Sequence, residues 1–237
     1  MINTENKYKK LDYTTKKKLY EFLSSYINIA RKKKFEEIIK YRTKYISIVL
    51  EDIFQPHNAS AVLRTAECFG IQNIHIIENK NTYKVNPDVA LGAEKWINIF
   101  KYNSFENNTS GCLTQLKQEG YKIVATSPYK KGYTLNELPL DTPLAIIFGN
   151  ELNGLSNIAI QQSDDFLQIP MFGFTESFNI SVSVAIIISH LIEKLHSSSY
   201  NWQLNEEEKI DILIQWVKNT IKKPQLLEEN FLKTYNK

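Results

Sequence analysis

Between residues 46 and 169 the chain alternates short β-branched apolar runs with helical stretches, and few folds can bury such a pattern. The runs are 46–50, 74–77, 123–125, 144–148 and 166–169. Between the first two lies a segment in which Ala59, Val62, Leu63, Ala66 and Phe69 recur at helical spacing, with Gly70 as a stop signal. A second helix at 113–119 stops at Gly120. Strand–helix alternation predicts an α/β fold: a parallel sheet with helices on its faces. Residues 181–196 form one long apolar helix, expected to be buried.

The flanks are different. Residues 1–45 carry 13 Lys/Arg against 5 Asp/Glu, a balance of +8, whereas residues 46–237 carry 16 against 21, a balance of −5. A basic block on an otherwise acidic chain fits a polyanionic partner, or else a lysine-rich solvated face. Leu19, Phe22, Leu23, Tyr26, Ile27 and Ala30 predict one helix in the block, capped by Thr14 or Thr15. A second, shorter helix carries Phe35, Ile38 and Ile39. Near the other end, Asn205 followed by Glu206, Glu207 and Glu208 is a strong helix start. Ile210, Leu213, Ile214, Val217 and Ile221 then define its apolar stripe, and Pro224 lies beyond its end. The expected division is a basic helical extension at 1–45, a central domain at 46–197 and a helical extension at 198–237.

Several classes are disfavoured. The first ten residues have no apolar stretch after their charges, so no signal peptide is expected. The longest strongly apolar run, 184–188, is far too short to span a bilayer. Cys68 and Cys112 make no disulfide framework and read as free thiols of a reducing cytoplasm. His57, His75, His190 and His196 do not stand at zinc-ligand spacings, so no metal is expected.

Three segments follow apolar runs and carry polar groups that could do chemistry. In the first, Asn58-Ala-Ser-Ala-Val-Leu-Arg64-Thr-Ala66, Asn58 is placed as a helix cap. Arg64 is either a surface charge or a cation reaching a cleft at the sheet edge. The second, Gly149-Asn-Glu151-Leu-Asn-Gly154-Leu-Ser156, matches neither a dinucleotide loop nor a phosphate loop. Its glycines would let backbone approach a ligand beyond the carboxyl end of a strand. The third runs from Ile169 through Pro170, Met171, Ser177, Phe178 and Asn179 to Ala185. Its serines and asparagine either cap the long apolar helix or serve a site.

Together, and in this order, the three segments resemble the motifs of the SpoU/TrmH family, a branch of the SPOUT methyltransferases. The patterns N-x-S-A-x-x-R-T-A, G-x-E-x-x-G-L-S and I-P-M-x-G-x-x-x-S-L-N-V-S-V-A are matched across residues 46–196. The third departs at Phe178 for Leu, Ile180 for Val and Ser183 for Ala. The resemblance implies a C-terminal trefoil knot, a feature otherwise nearly absent from proteins. It implies S-adenosylmethionine bound there by Thr126, Gly149, Ile169, Met171 and Phe178. It assigns ribose 2′-O-methylation to Arg64, aided by Asn58, Glu151, Ser177 and Asn179, in a homodimer whose active site lies at the subunit interface. The short basic extension is similar to that of members acting on guanosine 18 of the tRNA D-loop, which makes tRNA the expected partner, with no DNA and no membrane. Ribosomal RNA as substrate, or a non-catalytic RNA-binding knotted protein, are the alternatives.

Overall fold

The computed structural model describes residues 7–128 and 130–235; the signal-peptide expectation therefore falls partly, at residues 1–6, outside the described residues. In chain order the elements are α1 (Tyr13–Ser24), α2 (Ile29–Ile38), β1 (Ile46–Glu51), α3 (Pro56–Cys68), β2 (Asn73–Ile77), α4 (Pro87–Ala90), β3 (Asn98–Tyr102), α5 (Thr109–Gln118), β4 (Lys122–Thr126), β5 (Leu144–Phe148), α6 (Asn157–Gln162), β6 (Asp165–Leu167), α7 (Ile180–His196), α8 (Glu206–Lys218) and α9 (Pro224–Tyr235). They form two compact units: Thr43–Trp202, and the residues up to Arg42 together with those from Gln203 onward.

The larger unit is a six-stranded, all-parallel sheet in the order β3-β2-β1-β5-β4-β6. Side chains alternate across β1. Ile46, Ile48 and Leu50 join the core shared with α3 and α7, while Val49 joins Ala145, Ile147, Cys112 and Leu113 on the other face. Burial on both faces is why these strands read as continuous apolar runs rather than alternating ones. The chain builds outward from β1 to β3 and then returns to the other side of β1, so strand order reverses between β1 and β5. Their carboxyl ends lie side by side, Leu50 opposite Phe148. A switch point of this kind is where open α/β sheets hold their ligands.

The helix α7 starts at Ile180, and only one side of it is buried: Val184, Ile188, Leu191 and Leu195 are fully covered, whereas Val182 is exposed. Strand β6 lies at 165–167 rather than 166–169. β3 is absent from the sequence expectation because Asn-Ile-Phe-Lys-Tyr has no long apolar run and two of its five residues, Phe100 and Lys101, face solvent at the sheet edge.

In the smaller unit, α1 packs on α8 and α9. The single helix expected from Leu19 to Ala30 is broken. Ser24 and Ser25 hydrogen-bond back to the carbonyls of Glu21 and Phe22, ending α1. Asn28 then caps α2 by accepting from the Arg31 N–H at 2.7 Å. The cap of α1 is Asp12, not Thr14 or Thr15; its carboxylate accepts from the backbone and hydroxyl of Thr15. Asn205 caps α8 in a reciprocal box with Glu208. Trp216 fills the interior, with Phe35 against it and the buried Arg42 guanidinium 5.2 Å from its ring. No helix among the described residues is long and apolar enough to cross a membrane.

A buried histidine lies in the sheet. His75 on β2 has Nδ1 3.1 Å from the Tyr102 hydroxyl, and its Nε2 meets no hydrogen-bond partner among the described residues. Burial lowers its pKa from 6.5 to about 4. The unfolded chain therefore takes up a proton at pH 6.5 that the folded chain refuses. Stability is unaffected above pH 6.5 and declines as pH falls toward 4. Urea unfolding should lose about 2 kcal/mol from this group between pH 6.5 and 5. In His75→Phe that portion of the decline should vanish; an identical pH dependence in the variant would contradict the assignment.

Candidate active site

Pro56 at the first position of α3 moves the cap back to Gln55. Asn58, expected as the cap, is instead inside the first turn, and its buried amide is free to face the sheet. The Asn58 amide links all three sequence motifs. Its Nδ2 donates to Glu151 Oε1 at 2.8 Å, and its Oδ1 accepts from Asn179 Nδ2 at 3.1 Å. Glu151 Oε2 also accepts from the Phe54 N–H at 3.0 Å. Asn179 caps α7, its Oδ1 taking the Ser181 N–H and hydroxyl at 2.8 and 2.6 Å.

Around this chain of bonds lies a cavity of about 550 Å³ at the carboxyl ends of β4, β5 and β6. It is lined by all five residues expected to hold the cofactor, Thr126, Gly149, Ile169, Met171 and Phe178, and by Asn58, Glu151, Ser177 and Asn179. Phe148, Leu155 and Leu167 give it an apolar floor. Thr126 is tied to the sheet by its hydroxyl, which donates to the Ile147 carbonyl at 2.9 Å.

Gly149 is a requirement of this loop. A β-carbon there would stand 2.3 Å from the Gly154 carbonyl carbon and 2.4 Å from the Leu155 nitrogen. The approach is held by paired backbone bonds between Asn150 and Gly154, the latter at φ +68°.

Arg64 does not line the cavity. It is exposed, on the face of α3 that also carries His57 and Cys68, away from buried Val62, Leu63 and Ala66. Residues without any sequence signal also contribute: Gln55, Ser127 and Pro128 line the cavity, as does Asn150 of the second segment. Both cysteines are free; Cys68 is exposed, and burial pushes the Cys112 thiol up to about 12. Among the described residues no group of three or more His, Cys, Asp or Glu is placed to hold a metal ion.

Residues 45–189 match the model of the SpoU rRNA Methylase family. The chain belongs to that family. It is 43% identical over 206 residues to a tRNA (guanosine(18)-2′-O)-methyltransferase of Borreliella burgdorferi, covering 87% of this chain and 93% of that one. It is 27% identical over 191 residues to the protein of the same name from Thermus thermophilus, covering 80% and 96%. Among solved structures it resembles the A. aeolicus TrmH/SpoU tRNA modifying enzyme, with a TM-score of 0.72 and 28% identity over 82% of this chain and 98% of that one. In this family member the Asn58 link joins the three motifs, each supplying one part of a single hydrogen-bonded chain.

That link can be broken without changing shape. Asn58→Asp keeps the acceptor for Asn179 but sets a second carboxylate against Glu151. At pH 7 the variant should be less stable than the parent by about 2–3 kcal/mol. The difference should shrink toward pH 5 as one carboxyl takes a proton and donates to the other. Urea unfolding of both proteins at the two pH values checks this, and a pH-independent difference would contradict it.

Proposed function

We propose that the protein is a tRNA methyltransferase that moves a methyl group from S-adenosylmethionine to the ribose 2′-hydroxyl of guanosine 18. The observation that carries the reading is the cavity at the carboxyl ends of β4, β5 and β6, walled by motifs two and three and bonded through Asn58 to motif one. The 43% identity over most of the chain to a protein of that name supports the substrate. The alternative kept from the sequence is ribosomal RNA.

The cavity fits the cofactor by size and chemistry. Its volume falls within the roughly 300–1,000 Å³ of small-molecule sites. The apolar floor suits a purine ring, and Thr126, Asn150 and Glu151 offer polar groups to an amino acid and a ribose. Bound there, S-adenosylmethionine would supply a sulfonium methyl group open to attack by an oxygen. The chain's own residues have three tasks. Asn58, Glu151 and Asn179 hold the loops in one geometry, so that little reorganisation remains at reaction. Ser177, on the cavity wall, orients the ribose. Arg64 grips the target phosphate as a cation and stabilises the oxyanion that forms as the hydroxyl loses its proton; with a pKa above about 12 it is a poor base by itself.

Arg64 faces away from its own chain's cavity, which supports a homodimer with the active site at the subunit interface. The half-exposed Phe178 and the exposed Val182 at the start of α7 offer apolar surface for such a contact. The trefoil knot belongs to the same proposal, through the segments 149–156 and 169–179 that wall the cavity. We place the protein in the cytoplasm, in keeping with its two free thiols.

Transfer from labelled S-adenosylmethionine to bulk tRNA and to ribosomal RNA tests the substrate. Label in tRNA alone is expected; label in ribosomal RNA alone would replace this reading by the alternative. Arg64→Ala should lower turnover by about a hundred- to a thousandfold, as removal of a charge-stabilising donor does elsewhere, while leaving the S-adenosylhomocysteine affinity within about threefold of the parent. Near-normal turnover would remove Arg64 from its role.

RNA binding is assigned to the basic block. Lys17, Arg31, Lys33 and Lys34 are exposed on α1 and α2. Deleting residues 1–44 is a poor test, because it uncovers the apolar face of α8 that α1 packs against. Replacing these four side chains by alanine leaves the helices. If each meets a phosphate, the salt dependence of tRNA affinity should flatten by about 3 log–log units. An unchanged slope would make the block a solvated face only.

A further inference from the structure

The loop that walls the cavity is moored to two acidic residues that the motifs do not include. Glu51, the last residue of β1, is 2% exposed and its carboxylate meets no cation among the described residues. Instead it accepts three hydrogen bonds. Oε2 takes the Ser156 N–H at 2.8 Å, and Oε1 takes the Ser156 hydroxyl at 2.7 Å and the Thr109 hydroxyl at 2.6 Å. Next to it, Asp52 adopts φ +58°, a left-handed conformation that a non-glycine residue holds only when its surroundings fix it. One Asp52 oxygen accepts the N–H groups of Asn79, Lys80 and Asn81, and its carbonyl accepts Asn150 Nδ2 at 2.7 Å. The segment from Asn150 to Ser156 is thus tied at its start to Asp52 and at its end to Glu51, with Glu151 held between them by the Phe54 N–H.

We propose that Glu51 is a positioning residue for the cavity: its buried carboxylate fixes the far end of the Gly149–Ser156 wall, and so sets cofactor affinity without touching the cofactor. The reason is chemical. A buried carboxylate without a cation is costly unless donors surround it. Two of its three donors come from Ser156, the residue directly after Leu155, which lines the cavity, so the cost of burial is recovered only while that end of the loop stays docked. The third donor, Thr109, begins α5 and is not part of the cavity. Loss of Thr109 weakens the same carboxylate from the side away from the site.

This inference rests on the assignment of the cavity to S-adenosylmethionine, and the test separates the two. Three proteins are compared: the parent, Glu51→Gln and Thr109→Val. In Glu51→Gln the charge is lost and one acceptor becomes an amide nitrogen, so either the Ser156 N–H loses its acceptor or the Ser156 and Thr109 hydroxyls must turn to accept instead of donate. S-adenosylhomocysteine affinity is measured by calorimetry, and hydrogen–deuterium exchange of segment 150–156 is measured without ligand. Glu51→Gln should weaken affinity at least tenfold and speed exchange across 150–156 at least tenfold, while the turnover number at saturating cofactor stays within about threefold. Thr109→Val should leave both readouts within threefold although it lowers the melting temperature. If Glu51→Gln does not fold, Ser156→Ala carries the comparison, with an affinity loss of at least threefold expected. Equal affinity and equal exchange in all folded variants would overturn the positioning role, as would equal losses in Thr109→Val. A parent protein that fails to bind S-adenosylhomocysteine would instead overturn the cofactor assignment.

Discussion

The site depends on one amide. Asn58 presents a donor to Glu151 and an acceptor to Asn179, and no residue type without both functions on a short side chain could serve at that position. Through this amide a helix start after β1, a loop after β5 and a helix start after β6 become one arrangement. The sheet makes the meeting possible, because strand order reverses between β1 and β5 and brings their carboxyl ends together. Everything else at the cavity is arranged around that meeting: Gly149 permits the backbone crossing, Gly154 closes it, and Asp52 and Glu51 moor it.

Much of this was legible in the sequence because burial writes a strong pattern. A parallel strand covered on both faces is largely apolar: β5 is so throughout, and β1, β2 and β4 are so at most positions. The helices α3 and α5 stop two residues before Gly70 and Gly120, where a stop was expected. What was hidden has physical reasons as well. β3 is an edge strand with polar residues and no long apolar run. The break between α1 and α2 comes from two serines bonding backward, which leaves the apolar spacing intact across a gap that is not helical. The two flanking segments were expected as separate extensions; in the structure α1 and α8 share one interior, a long-range contact that local periodicity does not encode.

The candidate site was legible as a set of residues but not as a geometry. Asparagine before a helix reads as a cap, and only Pro56 shifts the register so that Asn58 turns inward. Glu51 left no signal, since a single acid ending an apolar run is usually solvated. Its burial follows from donors that arrive from residues 109 and 156. Arg64 shows the reverse case. Its motif marks it strongly, yet within one chain it faces away from the cavity, and the role proposed for it rests on the proposed homodimer.

The claim that the three motifs act as one unit can be measured in the free protein. Glu151 and Asn179 are each hydrogen-bonded to Asn58. A double-mutant cycle of Glu151→Ala and Asn179→Ala, read by urea unfolding without ligand, asks whether they communicate through it. A shared Asn58 predicts that the double variant loses less stability than the two single variants combined, by about 0.5–3 kcal/mol. Additivity within about 0.3 kcal/mol would mean that the motifs are merely neighbours and would contradict the account.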